Sequence, residues 1–322
     1  VILLFVVLPL VAWAVFLVTV PLISWSSIHR VDPWPAGARP AAGSGTNYLL
    51  VGTDSRRGLN AEQRKKLGLG NVAEDAGRTD TIMILHLGNG PATLLSIPRD
   101  AAFKVPGYGG PYKINSTFNS ATYPGGRGLT VGGPKLLVKT LESGLHIRID
   151  HYVEIGFGAF VNAVDAVGGV QICAPHKLND WRADLHIKKG CQNADGATAL
   201  AFSRSRHAFQ LGDLARAEHQ RVIVHEVGQK AKSIWTFALP WRYNAINDAA
   251  VNGLTVDNTM SIWNMISLAK GMSGVTKSCT LPLAAFTTPL PVDWSRTRQL
   301  MAYFSNDDTG SIPARLCTAT GF

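Results

Sequence analysis

The sequence predicts an α/β fold, a three-layer α-β-α arrangement around a mixed central sheet, preceded by one transmembrane helix. Three observations predict it. Residues 1–25 form an unbroken apolar run without a charge. Beyond them, short runs that are apolar on both faces alternate with amphipathic segments, the pattern of a sheet covered on both sides by helices. Hydrophobic residues make up 46% and charged residues 16% of the 322, which places the chain among globular and not disordered proteins.

The run VILLFVVLPLVAWAVFLVTVPLISW (1–25) is long enough, at about 1.5 Å per residue, to cross a hydrocarbon core of roughly 30 Å. It is longer than the apolar core of a cleaved signal peptide, and it ends in Trp25, a residue suited to a membrane interface. The first residue is Val1, so a cytoplasmic stretch is expected ahead of it. Residues 26–46, rich in Pro, Gly and Ala, read as a linker to a domain over 47–322.

Within the domain, NYLLVGT (47–53) and DTIMILHL (80–87) read as buried strands. ATLLSIP (92–98) follows a Gly-Asn-Gly-Pro turn and pairs with the second of these as a hairpin. Residues 131–145 read as a helix with Gly144 near its end, 151–157 as a strand, 158–169 as a short helix closed by glycines and 170–175 as a strand. A long helix is predicted over 211–231. Further helices are predicted near 255–272 and 295–305, with a strand near 277–284.

Cys173, Cys191, Cys279 and Cys317 are an even set without zinc-type spacing. An oxidising compartment allows two disulfides, most simply Cys173–Cys191 and Cys279–Cys317. The net charge of +9 favours anionic partners: phospholipid, phosphate esters, acidic polymers or nucleic acid. No basic-aromatic stripe points to nucleic acid. No H-E-x-x-H, G-x-S-x-G, P-loop or dinucleotide-binding glycine pattern is present.

Charge concentrates instead at the ends of apolar strands, where α/β sheets bind ligands. Strand 47–53 runs into Asp54-Ser55-Arg56-Arg57, strand 80–87 is preceded by Gly77-Arg78-Thr79-Asp80, and strand 92–98 ends in Pro98-Arg99-Asp100. Arg204 and Arg206 stand at i and i+2, on one side of an extended segment. On the helix over 211–231, Asp213, Arg216 and Gln220 share one arc, and the same side turns apolar at Ile223, Val224 and Val227, which suits the wall of a cleft. Arginines gathered from several elements suit an anion larger than one phosphate, because guanidinium binds phosphate oxygens bidentately. Asp54 and Asp80 would oppose that anion unless they hold a cation, and Mg²⁺ (or Mn²⁺) takes carboxylate and phosphate oxygens together.

In these residues the chain resembles the LytR-CpsA-Psr (LCP) family of cell-wall glycopolymer ligases, of actinobacterial type. The matching stretches are NYLLVGTDSR (47–56), GRTDTIMILHL (77–87), LLSIPRD (94–100), KINSTFNSA (113–121), HYVEIGFGAFVNAVDAVGGV (151–170), DGATALAFSRSRH (195–207) and GDLARAEHQ (212–220). They fall in family order within a motif-bearing core, 47–232. The remainder, 233–322, carries no assigned motif and completes the fold. The resemblance implies a single-pass membrane protein with an extracytoplasmic catalytic domain, an apolar pocket for a polyprenyl chain and an arginine-rich mouth for its pyrophosphate. By position it implies Asp54 and Asp80 as metal ligands and candidate bases, and Arg99 as the group stabilising the leaving group. It implies Arg78, Arg99, Arg204, Arg206, Arg216 and Gln220 on the pyrophosphate and head group. One departure is His219 before Gln220, where the family often has arginine. The implied reaction moves a glycopolymer from a polyprenyl-pyrophosphate carrier to a peptidoglycan hydroxyl, the 6-hydroxyl of N-acetylmuramic acid. Two alternatives use the same residues: a polyprenyl-pyrophosphate hydrolase, and a noncatalytic membrane-anchored binder or regulator.

Overall fold

The computed structural model describes residues 2–55, 59, 61–67, 79–108, 110–118, 132–181, 183–205, 223, 226–230, 233, 236 and 238–319. Seven strands form the central sheet: β1 (His29–Val31), β2 (Thr46–Thr53), β3 (Thr79–Leu87), β4 (Thr93–Ile97), β7 (His151–Ile155), β12 (Leu254–Asp257) and β13 (Lys277–Thr280), in the order β1-β12-β7-β2-β3-β4-β13. The sheet is mixed as expected: β2 is antiparallel to β3 but parallel to β7, and β3–β4 is the predicted antiparallel hairpin. A three-stranded sheet of β5 (Ala101–Lys104), β6 (Pro111–Lys113) and β14 (Leu290–Pro291) stands beside it. The hairpins β8 (Val170–Ala174) with β11 (Gly190–Ala194), and β9 (Leu178–Asp180) with β10 (Leu185–Ile187), build a separate lobe.

Helices α1 (Ile2–Ser26), α2 (Ala61–Lys66), α3 (Pro134–Leu145), α4 (Phe157–Ala166), α5 (Gly196–Arg204), α6 (Pro240–Gly253), α7 (Ile262–Ser273) and α8 (Trp294–Ser305) follow in chain order. Alternation along the strands decides which face meets which helix. Leu49, Val51, Ile82, Ile84 and Leu95 point into one core with Leu137, Leu141, Leu300 and Phe304 of α3 and α8. Tyr48, Leu50, Met83, Leu85 and Val153 point the other way, against Leu268 and Met265 of α7. Burial on both faces is why these strands read as continuous apolar runs. In the lobe, Val164, Ile172, Leu185 and Phe202 form a third core. Both disulfides pair as the simplest reading expects, Cys173–Cys191 across β8–β11 and Cys279–Cys317 between β13 and the C-terminal segment.

Three expectations change. The segment 255–257, expected within a helix, is strand β12, held between β1 and β7; the helix starts only after Ser261, whose side chain forms a capping box with Asn264. Phe202-Ser203-Arg204, expected as extended, is the last turn of α5, which Asp195 opens by accepting the Thr198 N–H. The 26–46 stretch, expected as a linker, is docked on the domain. It contributes β1, packs Trp34 on the core, and sends Arg39 to the buried Glu142 at 2.7 Å.

Helix α1 is 25 residues long and contains no charged side chain. The side chains of its first turn lie outside the described set, and among the described residues no helix is long and apolar enough to cross a membrane. Most of the helix expected over 211–231 also lies outside the described residues.

Candidate active site

The sheet topology gathers one edge. Strands β2 and β7 run toward it, β4 ends there, and β3 starts there, because each antiparallel pairing turns a strand start into the neighbour of a strand end. Thr53 of β2 pairs with Thr79 of β3 after a register shift at Gly52, so Asp54 and Asp80 follow from neighbouring backbone positions at this edge. Arg99 stands two residues beyond the end of β4. Strand β7 ends at Ile155, Gly156 caps α4, and the helix begins at once, so its N-terminal N–H groups lie at the same edge, where they favour anions. The Phe157 N–H donates to the Ser55 carbonyl at 2.9 Å, which ties the segment after β2 to this helix. A Cβ on Gly156 would stand 3.0 Å from that carbonyl, so only glycine allows the approach without a shift.

Arg99 Nη1 donates to Asp80 Oδ1 at 2.6 Å, and the two side chains are 20% and 23% exposed. Asp100 continues the array, 3.8 Å from Arg99 Nε and 3.0 Å from Lys113 Nζ. The Asn115 N–H holds the Arg99 carbonyl at 3.1 Å. Arg204, at the end of α5, places its guanidinium 5.2 Å from the centre of the Phe157 ring, a cation–π contact.

Asp80 and Arg204 line one cavity of about 200 Å³. Its polar end is at the sheet edge, with Thr53, Thr81 and Ser203; its body is apolar, walled by Leu50, Met83 and Ile155 of the sheet, Phe160 and Leu200 of α4 and α5, and Met265, Leu268 and Met272 of α7. Thioether side chains fill irregular space and adapt to a flexible hydrocarbon. The arrangement suits a ligand with a greasy chain and an anionic head.

Of the predicted site residues, the structure brings Asp80, Arg99 and Arg204 around this mouth, with Asp54 next to Thr53 at the same edge. Arg78, Arg206, Arg216 and Gln220, and His219 with them, lie outside the described residues. Among the described residues there is no cluster of three or more His, Cys, Asp or Glu side chains poised for a metal ion. Two carboxylates at one edge are still the number that magnesium uses when phosphate oxygens complete its shell.

Sequence reasoning missed the α7 wall and Glu154. Met265, Leu268 and Met272 have spacings of three and four, a helical stripe present in the sequence but distant from every motif. Glu154 is an acid in a central strand beside the buried Tyr152 and Val153. Its carboxylate accepts from Thr53 Oγ1 at 3.1 Å and from the Tyr152 hydroxyl at 3.0 Å, bracing the end of β2. Burial first, and then this carboxylate, push the Tyr152 phenol well above its ordinary range.

Comparison with known proteins matches the LytR_cpsA_psr family over residues 28–295. The chain belongs to this family. The LCP chain is 44% identical over 262 residues to the probable cell wall biosynthesis protein LcpB of Corynebacterium glutamicum, covering 81% of this chain and 60% of LcpB. It is 33% identical over 169 residues to the polyisoprenyl-teichoic acid–peptidoglycan teichoic acid transferase TagU of Bacillus anthracis, covering 52% of each. The match thus spans about half to three fifths of the length of these curated relatives. The LytR-Csp2A-Psr enzyme from Actinomyces oris shares the fold, with a TM-score of 0.64 at 22% identity, covering 86% of this chain and 96% of that one.

Proposed function

We propose that this LCP protein is a phosphotransferase that moves a glycopolymer from a polyprenyl-pyrophosphate carrier to a peptidoglycan hydroxyl, the 6-hydroxyl of N-acetylmuramic acid, in cell-wall biogenesis. The observation that carries the reading is the cavity whose body is hydrocarbon and whose mouth holds Asp80, Arg204 and the Asp80–Arg99 pair. The name of TagU, a transferase acting between polyisoprenyl-teichoic acid and peptidoglycan, supports the substrate class.

In this reading the polyprenyl chain lies along Met83, Leu268 and Met272, and the diphosphate meets Arg99 and Arg204. The acceptor oxygen attacks the sugar-proximal phosphorus, a new P–O bond forms, and the bond to the bridging oxygen breaks. Polyprenyl phosphate leaves with the electron pair, and the acceptor proton passes to Asp54 or Asp80. Arg99 neutralises the charge that grows on the leaving phosphate, so catalysis is positioning plus charge stabilisation. Asp54 and Asp80 would hold Mg²⁺ or Mn²⁺, which when bound adds positive charge at the diphosphate oxygens. Helix α1 serves as a single-pass anchor, about 37 Å long, that keeps the domain on the extracytoplasmic side of the cell membrane, beside its lipid donor. Two disulfides support that compartment.

The test supplies radiolabelled lipid-linked donor with and without peptidoglycan. Label bound to peptidoglycan in the complete mixture is the expected result. Free sugar phosphate in equal amounts from both tubes identifies a hydrolase, and no turnover in either identifies a binder.

A further inference from the structure

A second cleft, of about 880 Å³, opens in the opposite layer of the domain. Its walls are the β5–β6 hairpin, the end of α3 and the start of α8, on the sheet face that the lipid-type cavity does not use. Lys104, His146 and Arg298 are exposed along it, Tyr108 and Trp294 present aromatic rings, Ser143 adds a hydroxyl, and among the described residues no aspartate or glutamate is part of its lining.

Two features show that this shape is built. Trp294 is fixed edge-to-face against the buried Phe103 at 5.3 Å, and Gly144 lets α3 close onto both rings: a Cβ there would stand 2.9 Å from Phe103 and 3.3 Å from Trp294. His146 ends α3 in the left-handed conformation, φ 56°, where glycine is the usual residue. A side chain there holds a backbone conformation that disfavours L-residues, and its imidazole borders the cleft.

We propose that this cleft binds the acceptor, a peptidoglycan strand, through its sugar rings and its carboxylates; the inference rests on the transferase reading above. Aromatic faces with a few polar groups are the chemistry that holds sugar rings, and cations without neighbouring acids hold carboxylates. The donor's own anionic polymer offers similar chemistry, but placement favours the acceptor. His29 pairs with Thr255, and Leu254 with Ile155, so α1 enters the domain at the edge where β7 ends and the active site begins. A membrane-borne lipid therefore arrives at that edge and on the α7 face. The cleft lies on the other face, and its lining residues Ala102 and Lys104 belong to β5, the strand that follows Arg99 in the chain. Lys104 stands five residues beyond Arg99, at most about 16 Å along an extended chain, so a strand seated in the cleft can reach the mouth.

The experiment uses the full chain in detergent micelles and measures binding by calorimetry, without donor or turnover. The probes are soluble uncross-linked peptidoglycan strands, the same strands with their carboxylates amidated, and a teichoic-type polymer free of peptidoglycan. The strands should bind the wild type, bind the Lys104→Glu/Arg298→Glu variant at least tenfold more weakly, and lose a similar factor on amidation. Lys104→Gln/Arg298→Gln should show the same direction if the charge-reversed chain melts early. Strands that bind both variants as tightly as the wild type overturn the proposal, and so does a teichoic-type polymer with the same dependence on Lys104 and Arg298. Because no catalysis is read, loss of this site and loss of the transferase reading are separate results.

Discussion

Asp80 and Asp257 stand at opposite ends of the same sheet and meet opposite surroundings. Asp257 is fully buried at the start of β7. One oxygen accepts from His151 Nδ1 at 3.2 Å and the Tyr152 N–H at 3.0 Å, the other from the Thr259 N–H at 2.9 Å and its hydroxyl at 2.5 Å. Burial by itself raises its pKa, but the His151, Thr259 and Tyr152 donors outweigh that and leave the carboxyl below its ordinary value. Asp80 faces a cavity, is 23% exposed, and is bonded to an arginine that a diphosphate would also attract. A carboxylate enclosed by fixed donors holds strands together. A carboxylate whose cationic partner borders open space can exchange that partner for a ligand. Asp80 stands at the start of one strand and Asp257 closes another, so the distinction is one of surroundings, not of residue type.

The strongest way to break the comparison is at Arg99. Arg99→Ala should lower transfer from lipid-linked donor to peptidoglycan about 100- to 1,000-fold, the loss typical of removing one charge-stabilising donor, with little change in melting temperature. A variant that keeps full transfer would falsify the catalytic role. The mirror-image change is Asp257→Ala. It should cost about 1–3 kcal/mol in denaturant unfolding, because His151, Thr259 and the Tyr152 N–H lose their acceptor, while transfer per folded molecule persists. Equal stability in wild type and variant would show that the cluster is ornamental. The smallest effect is in pH. A carboxyl depressed in the folded state stabilises above its unfolded pKa of about 3.9, and that contribution disappears as pH falls through the folded value. The stability gap between wild type and Asp257→Asn should therefore be constant at neutral pH and narrow below about pH 4. A gap that widens on acidification would contradict the depressed value.

Much of this was legible in the sequence. The β3–β4 hairpin showed in its turn residues, and Asp54, Asp80 and Arg99 showed as charges at strand ends. The helix α5 did not, because Arg204 and Arg206 at i and i+2 suit an extended segment as well, and the Asp195 cap decides the matter. Strand β12 did not, because Thr255 and Val256 become a strand only through pairing with β1 and β7. The methionine wall of α7 was visible as periodicity, but periodicity does not say which cavity a stripe faces.

By itself the sequence determined the local elements and the family, because apolar period, turn chemistry and motif order are local properties of the chain. Only the tertiary structure decided that Asp80 pairs with Arg99, that Asp257 is sealed by four donors, and that the two clefts lie on opposite faces of the sheet. Those facts depend on strand order and register, which join residues up to 106 positions apart in the Asp257 cluster alone. Such contacts are fixed by burial across the whole sheet and leave no mark in any short stretch of sequence.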